Sequence, residues 1–356
     1  MKVLEGRYAL FGDFLNHILP TGELGKSLAG FGFDKWLFRG ESSGKYKLIP
    51  SALRESAKNV LNDGYDIRDS CSQVRCEYYK LWQFYKIANE HGLKITASST
   101  MRNEYLSSTV QAFAHQEAGY KWLSSEYEEL AAFAQHYGVP TRMLDWTSDL
   151  FTALYFASSR ALKSWKAGKY DCSDMMVIWL LNGGQIHSMT KEIGRKGIPV
   201  LKDGEWREVF INPLPLKLIV PPYFDNPNLN AQKGVLSYWE IELPSRMEEN
   251  AHSYEAFPID KRPLDELLQE FDLGYESDHI EILYRIELDI NECGYMYSVV
   301  NDLGYNAAKL FPGYEGVKRK MQEDDILQEF SQWLEVKRCQ MCEEKKCKNA
   351  QDVKDK

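Results

Sequence analysis

The sequence predicts an α+β fold, and three observations carry that reading. Ile280, Ile282, Tyr284, Ile286, Leu288 and Ile290 alternate with their neighbours, Leu283 apart, which is the period of a half-buried strand. Residues 125–160 read as helix, tight turn, short strand and second helix. Strand and helix patterns mix along the chain without a regular βαβ alternation. The expected architecture is a mixed, mainly antiparallel small sheet, or sheets, with flanking helices. With 356 residues, 44% of them apolar, the chain is long enough for a substantial core. The simplest layout is one domain over 1–320 with a helical insertion at 51–124, followed by a C-terminal helix and charged tail at 321–356.

In chain order, 8–20 suggests a short amphipathic helix, and Trp36 to Gly40 a strand ending in a glycine turn. Residues 51–61 and 67–91 read helical, the second with Val74, Tyr78, Leu81, Trp82 and Tyr85 at helical spacing and an end at Gly92. Residues 93–103 are loop-like, and helical pattern resumes over 104–118. Met175 to Leu181 is a continuous apolar run, as in a buried strand. Residues 183–208 read as a loop with short elements. Leu216 to Val220 and Val235 to Leu243 are strand candidates, and 244–278 is a loop-rich insertion with a short helix over 263–271. Asn291 is placed to cap a helix over 292–303 that ends at Gly304. A last helix covers 314–338, and the Lys-rich tail after 342 is expected to fray.

The central stretch 125–160 holds most of the chemistry. Ser125 and Glu128 fit a capping box. Tyr127, Leu130, Ala131 and Ala134 form an apolar stripe. Gly138 can end that helix in the left-handed conformation, and Pro140 stops it resuming. Thr147, Ser148 or Asp149 can cap the next helix, whose Leu150 to Ala157 segment is apolar nearly all round and so predicted to be buried. Polar groups crowd the joints: Gln135-His136, Thr141-Arg142, and Asp145 through Asp149.

Phe38-Arg39-Gly40, followed by the block from Gln135 through Thr147 and by Ala153-Leu154-Tyr155-Phe156-Ala157, resembles the FRG-domain family of bacteria and phages. Gln232-Lys233-Gly234 and Leu310-Phe311-Pro312 resemble its later landmarks, so the likeness runs over about residues 10–320. The family implies a place in bacteria–phage conflict but no particular reaction.

The same residues resemble, more distantly, the Arg-Ser-Glu class of ADP-ribosyltransferases, which implies a related fold and NAD as substrate. In that resemblance Arg39 holds the dinucleotide with its planar guanidinium fork. Thr147 supports the nicotinamide ribose, and Glu240 or Glu242 is the carboxylate that stabilises an oxocarbenium-like transition state. Two apart on one strand, those two would share a face. Gly40, Gln135, His136, Arg142, Asp145 and Gln232 complete the candidate ligand-binding set. Arg142 and Asp145 are expected to brace the site, and Gln232 to supplement or replace the carboxylate. The spacing from Gln232 to Glu240 departs from the usual Gln-x-Glu loop.

A different class of function fits the same groups. A non-catalytic module would hold a nucleotide or nucleic-acid end through Arg39, Arg142, Gln135 and His136, with Trp146 or Tyr137 stacking a base. A third reading is a protein-interaction sensor of a phage component. In the plainest reading, Arg39 pairs with Asp145 or Glu41, Thr147 and Ser148 are caps, and His136 satisfies terminal carbonyls. The partners expected are thus a nucleotide and a protein or nucleic-acid acceptor, with no membrane.

Composition bounds these readings. The net charge of −9 argues against bulk electrostatic coating of nucleic acid, while leaving room for a local basic patch. No stretch reaches the about 20 apolar residues that span a bilayer, and the N-terminus lacks a signal peptide's apolar core, so the expected compartment is the cytoplasm. Seven cysteines, an odd number, are expected reduced. Cys339, Cys342 and Cys347 resemble half a zinc site without a fourth ligand nearby, so no metal is expected. There is no GxxxxGK[ST], HExxH or GxSxG pattern.

Overall fold

The computed structural model describes residues 2–30, 35–61, 66–96, 120–189, 198–202, 205–209, 212–223, 226–243, 257–273 and 280–352, with 32 and 102 singly between them. The expected helix over 104–118 lies outside the described residues.

One seven-stranded sheet organises the chain. Its strands are β1 (Lys2–Tyr8), β2 (Trp36–Glu41), β4 (Met143–Thr147), β5 (Met175–Asn182), β8 (Leu216–Ile219), β9 (Gly234–Trp239) and β11 (Glu281–Asp289), in the order β1-β11-β5-β2-β4-β9-β8. Every pairing is antiparallel except β1 with β11. Two small antiparallel pairs form sheets of their own: β3 (Tyr120–Trp122) with β10 (Ile241–Leu243), and the hairpin of β6 (Ile198–Lys202) with β7 (Glu205–Val209). The fold is therefore α+β as expected, built on one large open sheet.

Helices cover the sheet in separate groups. α5 (Leu150–Lys166), α8 (Cys293–Asp302) and the start of α10 (Tyr314–Asp352) pack on Trp36, Phe38, Ile178, Leu180 and Ile286. α3 (Ser70–Glu90) and α4 (Glu128–His136) pack with Met143, Leu236 and Tyr238 of the β4–β9 half. Alternate residues of the same strands, among them Leu37, Leu144, Trp146 and Trp179, build another cluster that α7 (Leu264–Glu270) covers. β2 and β4 meet only at Phe38 opposite Thr147 and then diverge. The α4 and α5 groups stand on either side of that divergence, and a cleft opens between them.

Local chemistry sets the edges of these elements. Asp149 caps α5 by accepting from the Phe151 amide at 3.0 Å. Gly138 turns the chain out of α4 at φ +88°. Several expectations are corrected. The predicted Ser125–Glu128 capping box does not form: Ser125 opens a 3₁₀ turn, and the Glu128 carboxylate accepts from Tyr238 Oη at 2.7 Å instead. The cap before α8 is Asp289 rather than Asn291, its carboxylate accepting from the Asn291 amide at 2.8 Å. α10 continues to Asp352 rather than ending near 338. The expected strand over 235–243 breaks at Glu240, whose amide donates to the Pro215 carbonyl at 2.7 Å.

Candidate nucleotide cleft

Gly40 explains how β2 and α5 come so close. A Cβ on Gly40 would sit 1.9 Å from the Ala153 carbonyl oxygen, so only glycine lets the helix backbone reach the strand. That approach carries the next turns of α5 over the neighbouring Arg39 and delivers Phe156 and Arg160 to the same cavity.

Arg39 is nearly buried, its side chain 11% exposed. Its Nε and Nη2 meet Glu41 Oε1 at 2.7 and 2.6 Å, and its Nη1 donates to the Asp145 carbonyl oxygen at 2.8 Å. Burial alone would lower its pKa; Glu41 and Asp145 more than offset this and hold it above the ordinary value. Arg39 thus pairs with Glu41 and Asp145, as the plainest reading of the sequence expects, yet it still lines open space.

That space is a cleft of about 360 Å³. Its floor is Phe38, Gly40, Asp145, Thr147 and Leu236; Gln135 and His136 enter from the end of α4, and Ala153, Phe156 and Arg160 from α5. Gln232 and Gly234 close one end, Phe311 and Arg319 another. Arg39, Gln135, Asp145 and Arg160 also line a second lobe of about 1040 Å³, so the two lobes share a wall.

The polar groups are pre-arranged. Gln135 donates through Nε2 to Asp145 Oδ1 at 2.6 Å and accepts from the Thr141 hydroxyl. Asp145 keeps its side chain 70% exposed between buried neighbours on β4. Thr147 donates to the Gln232 carbonyl at 2.7 Å and accepts from the Asp149 amide at 3.0 Å, so its hydroxyl also locks the turn into α5. Gln232 donates to the Leu310 carbonyl at 3.0 Å. Burial lowers the His136 pKa, and Asp145 opposes this.

Three of the expected site residues fall elsewhere. Arg142 is buried against Glu77 of α3, its Nε 2.9 Å from both carboxylate oxygens, and lines neither lobe. Glu240 lies six residues along β9 from Gly234, the residue opposite Thr147, so it stands roughly 20 Å down the strand. There it pairs with Lys217 at 3.0 Å. Glu242 is exposed on β10, in the small sheet with β3. The break at Glu240 removes the shared strand face expected of the two. Trp146 does line the smaller lobe, but it is buried and donates to Ser237 Oγ at 2.8 Å, which fixes its ring in the sheet rather than leaving it to stack a base. Tyr137 is exposed but packs beside Phe84 and Phe133, outside both lobes.

The structure adds cations that the sequence did not single out. Arg160 is half-exposed, and its nearest carboxylate, Glu41, is 3.7 Å away. Burial lowers its pKa, Glu41 opposes this, and Arg39 adds to the lowering by repulsion. Arg319 of α10 lies over the Phe311 ring at 4.1 Å and donates to Glu323 at 3.0 Å. Glu323, only 1% exposed, also takes Lys163 Nζ at 2.6 Å and the hydroxyls of Tyr155 and Tyr297. The sole sequence signal for Arg160 is a cation closing an apolar helical run; Arg319 has none. Among the described residues no His, Cys, Asp and Glu group is arranged to hold a metal ion, and no helix is long and apolar enough to cross a membrane. Side chains of the Cys339–Cys347 cluster lie outside the described residues.

Residues 34–166 match the family model of the FRG domain. The chain therefore carries an FRG domain over those residues, as the block from Gln135 through Thr147 suggested. Comparison with curated proteins and with solved structures found no match. The matched segment carries Arg39, Gln135, Asp145, Thr147 and Arg160; Gln232, Phe311 and Arg319 come from beyond it.

Proposed function

We propose that the cleft between α4 and α5 binds a phosphate-bearing nucleotide, with NAD the first ligand to test. The observation that carries this is the convergence of Arg39, Arg160 and Arg319 on one cavity in a protein of net charge −9. Guanidinium groups present planar forks suited to phosphate oxygens. Arg160 is the least neutralised of the three, being half-exposed and 3.7 Å from its carboxylate. His136, Gln232 and Thr147 supply polar contacts beside Phe156 and Phe311, the mixture of apolar wall and few polar groups usual in small-ligand sites. At about 360 Å³ the smaller lobe accommodates one half of a dinucleotide, and the adjoining lobe takes the other.

Asp145 favours a second reading, ADP-ribosyl transfer. With Glu240 and Glu242 remote, Asp145 is the exposed carboxylate beside Arg39 in both lobes. In such a transfer the bond from ribose C1′ to nicotinamide breaks, and nicotinamide leaves with the bonding pair. An acceptor nucleophile then bonds C1′ and gives up its proton. An ionised carboxylate close to the ribose stabilises the cationic sugar between those events.

Calorimetry with NAD, ADP-ribose and ATP on the wild type and Arg160→Ala, with nicotinamide release followed in parallel, tests both readings. Arg160 is preferred to Arg39 because its removal leaves the Arg39–Glu41 pair intact. Binding that weakens tenfold or more in Arg160→Ala is the expected result. Release of nicotinamide that Asp145→Asn abolishes supports transfer; binding without release assigns a nucleotide-binding module. No binding of any of the three nucleotides would sink the proposal.

A further inference from the structure

The larger lobe has a character of its own. Its volume of about 1040 Å³ reaches the top of the range of about 300–1,000 Å³ for small-molecule sites. Its lining sets seven basic side chains beside apolar ones such as Val139 and Leu144. Arg39, Arg160 and Lys163 form one side, Lys45, Lys47 and Arg54 another, and Lys169 stands at the end of α5. Glu41 and Asp145 are the acidic residues of the lining. Carboxylates outside it reach some of these cations: Asp171 and Asp174 meet Lys45 at 3.0 and 3.8 Å, and Glu266 meets Lys47 at 3.2 Å. These are exposed pairs, with the lysines 67% and 62% exposed, and such pairs hold their partners weakly. Arg54 spends its Nε on a neutral acceptor, the Ile49 carbonyl at 2.9 Å. Tyr46 stands 54% exposed among these cations on the lobe's wall.

The geometry points to a single-stranded nucleic acid in this lobe, its phosphates along the cations and one base on Tyr46. A basic groove that tracks the backbone, joined to an exposed aromatic on which a base stacks, is the arrangement by which single strands are held without sequence preference. A concave lobe fits a strand better than a flat membrane surface. The shared wall at Arg39 and Arg160 lets the strand's terminal nucleotide enter the smaller lobe. This inference rests on the groove's own charges and does not depend on NAD binding, although a dinucleotide reaching into this lobe would compete with the strand.

Fluorescence anisotropy with a labelled twelve-nucleotide oligo(dT), without added nucleotide, tests it. Five exposed cations, Lys45, Lys47, Arg54, Arg160 and Lys169, imply a log–log salt slope of about −3.5, at about −0.7 per phosphate neutralised on a single strand. Lys169→Glu and Arg54→Glu should each weaken binding about tenfold and flatten the slope by at least about 0.7. Lys169→Arg should restore both. Tyr46→Ala should weaken binding about tenfold while leaving the slope unchanged, because stacking releases no counterion. Absence of binding at low salt overturns the inference, as does binding that ignores these substitutions. Binding of phosphatidylserine vesicles or a polyglutamate peptide in place of the oligonucleotide overturns it too. Failure of NAD binding with intact oligonucleotide binding sinks only the nucleotide reading.

Discussion

Replacing Arg142 by methionine separates a brace from a ligand contact. Arg142 and Glu77 have side chains 5% and 0% exposed, and Arg142 Nε lies 2.9 Å from both carboxylate oxygens. Gln73 Nε2 donates to the same carboxylate at 2.9 Å. Two unit charges about 4 Å apart attract by about 4 kcal/mol at an effective dielectric of about 20. Deleting one partner of such a buried pair strands the other and costs about 3–5 kcal/mol. Methionine keeps the apolar stem, so the loss reports the charge.

The pH dependence follows from Glu77. Burial raises its pKa above the ordinary 4.5, and Arg142 and Gln73 pull it part of the way back. A carboxyl raised in the folded state contributes stability that is full below its ordinary value and is lost as pH rises through the folded pKa. Without Arg142 the folded pKa climbs further, so the deficit of the variant widens with pH. Urea denaturation should show a loss of about 3–5 kcal/mol at about pH 8 and a smaller one at about pH 5. Adding Glu77→Gln should recover most of it. Nucleotide affinity of the folded variant should match the wild type, because Arg142 lines neither lobe. A loss under about 1 kcal/mol at both pH values, or a selective loss of nucleotide affinity, would refute the reasoning.

Gly40→Ala should destabilise the protein by at least about 3 kcal/mol in the same assay, since its Cβ would meet backbone of α5 that cannot yield. His136, whose pKa burial lowers, contributes stability present above its ordinary 6.5 and lost as pH falls through the folded value. A bound anion favours its charged form, so anion affinity should rise about fivefold as pH drops below that range, and His136→Gln should abolish the rise. Glu323→Gln should cost about 3 kcal/mol by stranding Lys163 and Arg319, while strengthening anion binding through the freed Arg319; a stable variant with unchanged affinity would contradict the role given to this hub.

What the sequence made legible was local. The alternation over 280–290, the Asp149 cap and the Gly138 turn each follow from neighbours in the chain, and each stands in the structure. What it hid was decided by distant partners. Glu128 looked like half of a capping box, but Tyr238, 110 residues away, takes its carboxylate. Glu-x-Glu at 240–242 looked like one strand face until the Pro215 carbonyl took the Glu240 amide and broke the strand. Arg142 read as a site residue because it shares a polar joint with Thr141 inside the block from Gln135 through Thr147, yet Glu77 of α3 holds it away from both lobes. β1 escaped notice because Val3 and Leu4 sit side by side; parallel pairing with β11, not its own pattern, makes it a strand.

Arg319 shows why the matched family segment and the cleft do not coincide. Residues 34–166 bring Arg39, Asp145 and Arg160 together through β2, β4 and α5. That assembly alone leaves the space above Thr147 open. Gln232 enters it at the end of the 226–231 turn and short helix, anchored on the Leu310 carbonyl at 3.0 Å. Phe311 and Arg319 follow from the segment that begins α10, and Glu323 fastens Arg319 to Lys163, Tyr155 and so to α5. On the proposed reading, charge for a phosphate comes mainly from inside the matched segment, and Gln232 and Phe311 add polar and apolar wall from outside it to that of His136, Thr147 and Phe156. On the proposed nucleotide reading, residues beyond the segment then contribute to the choice among nucleotides.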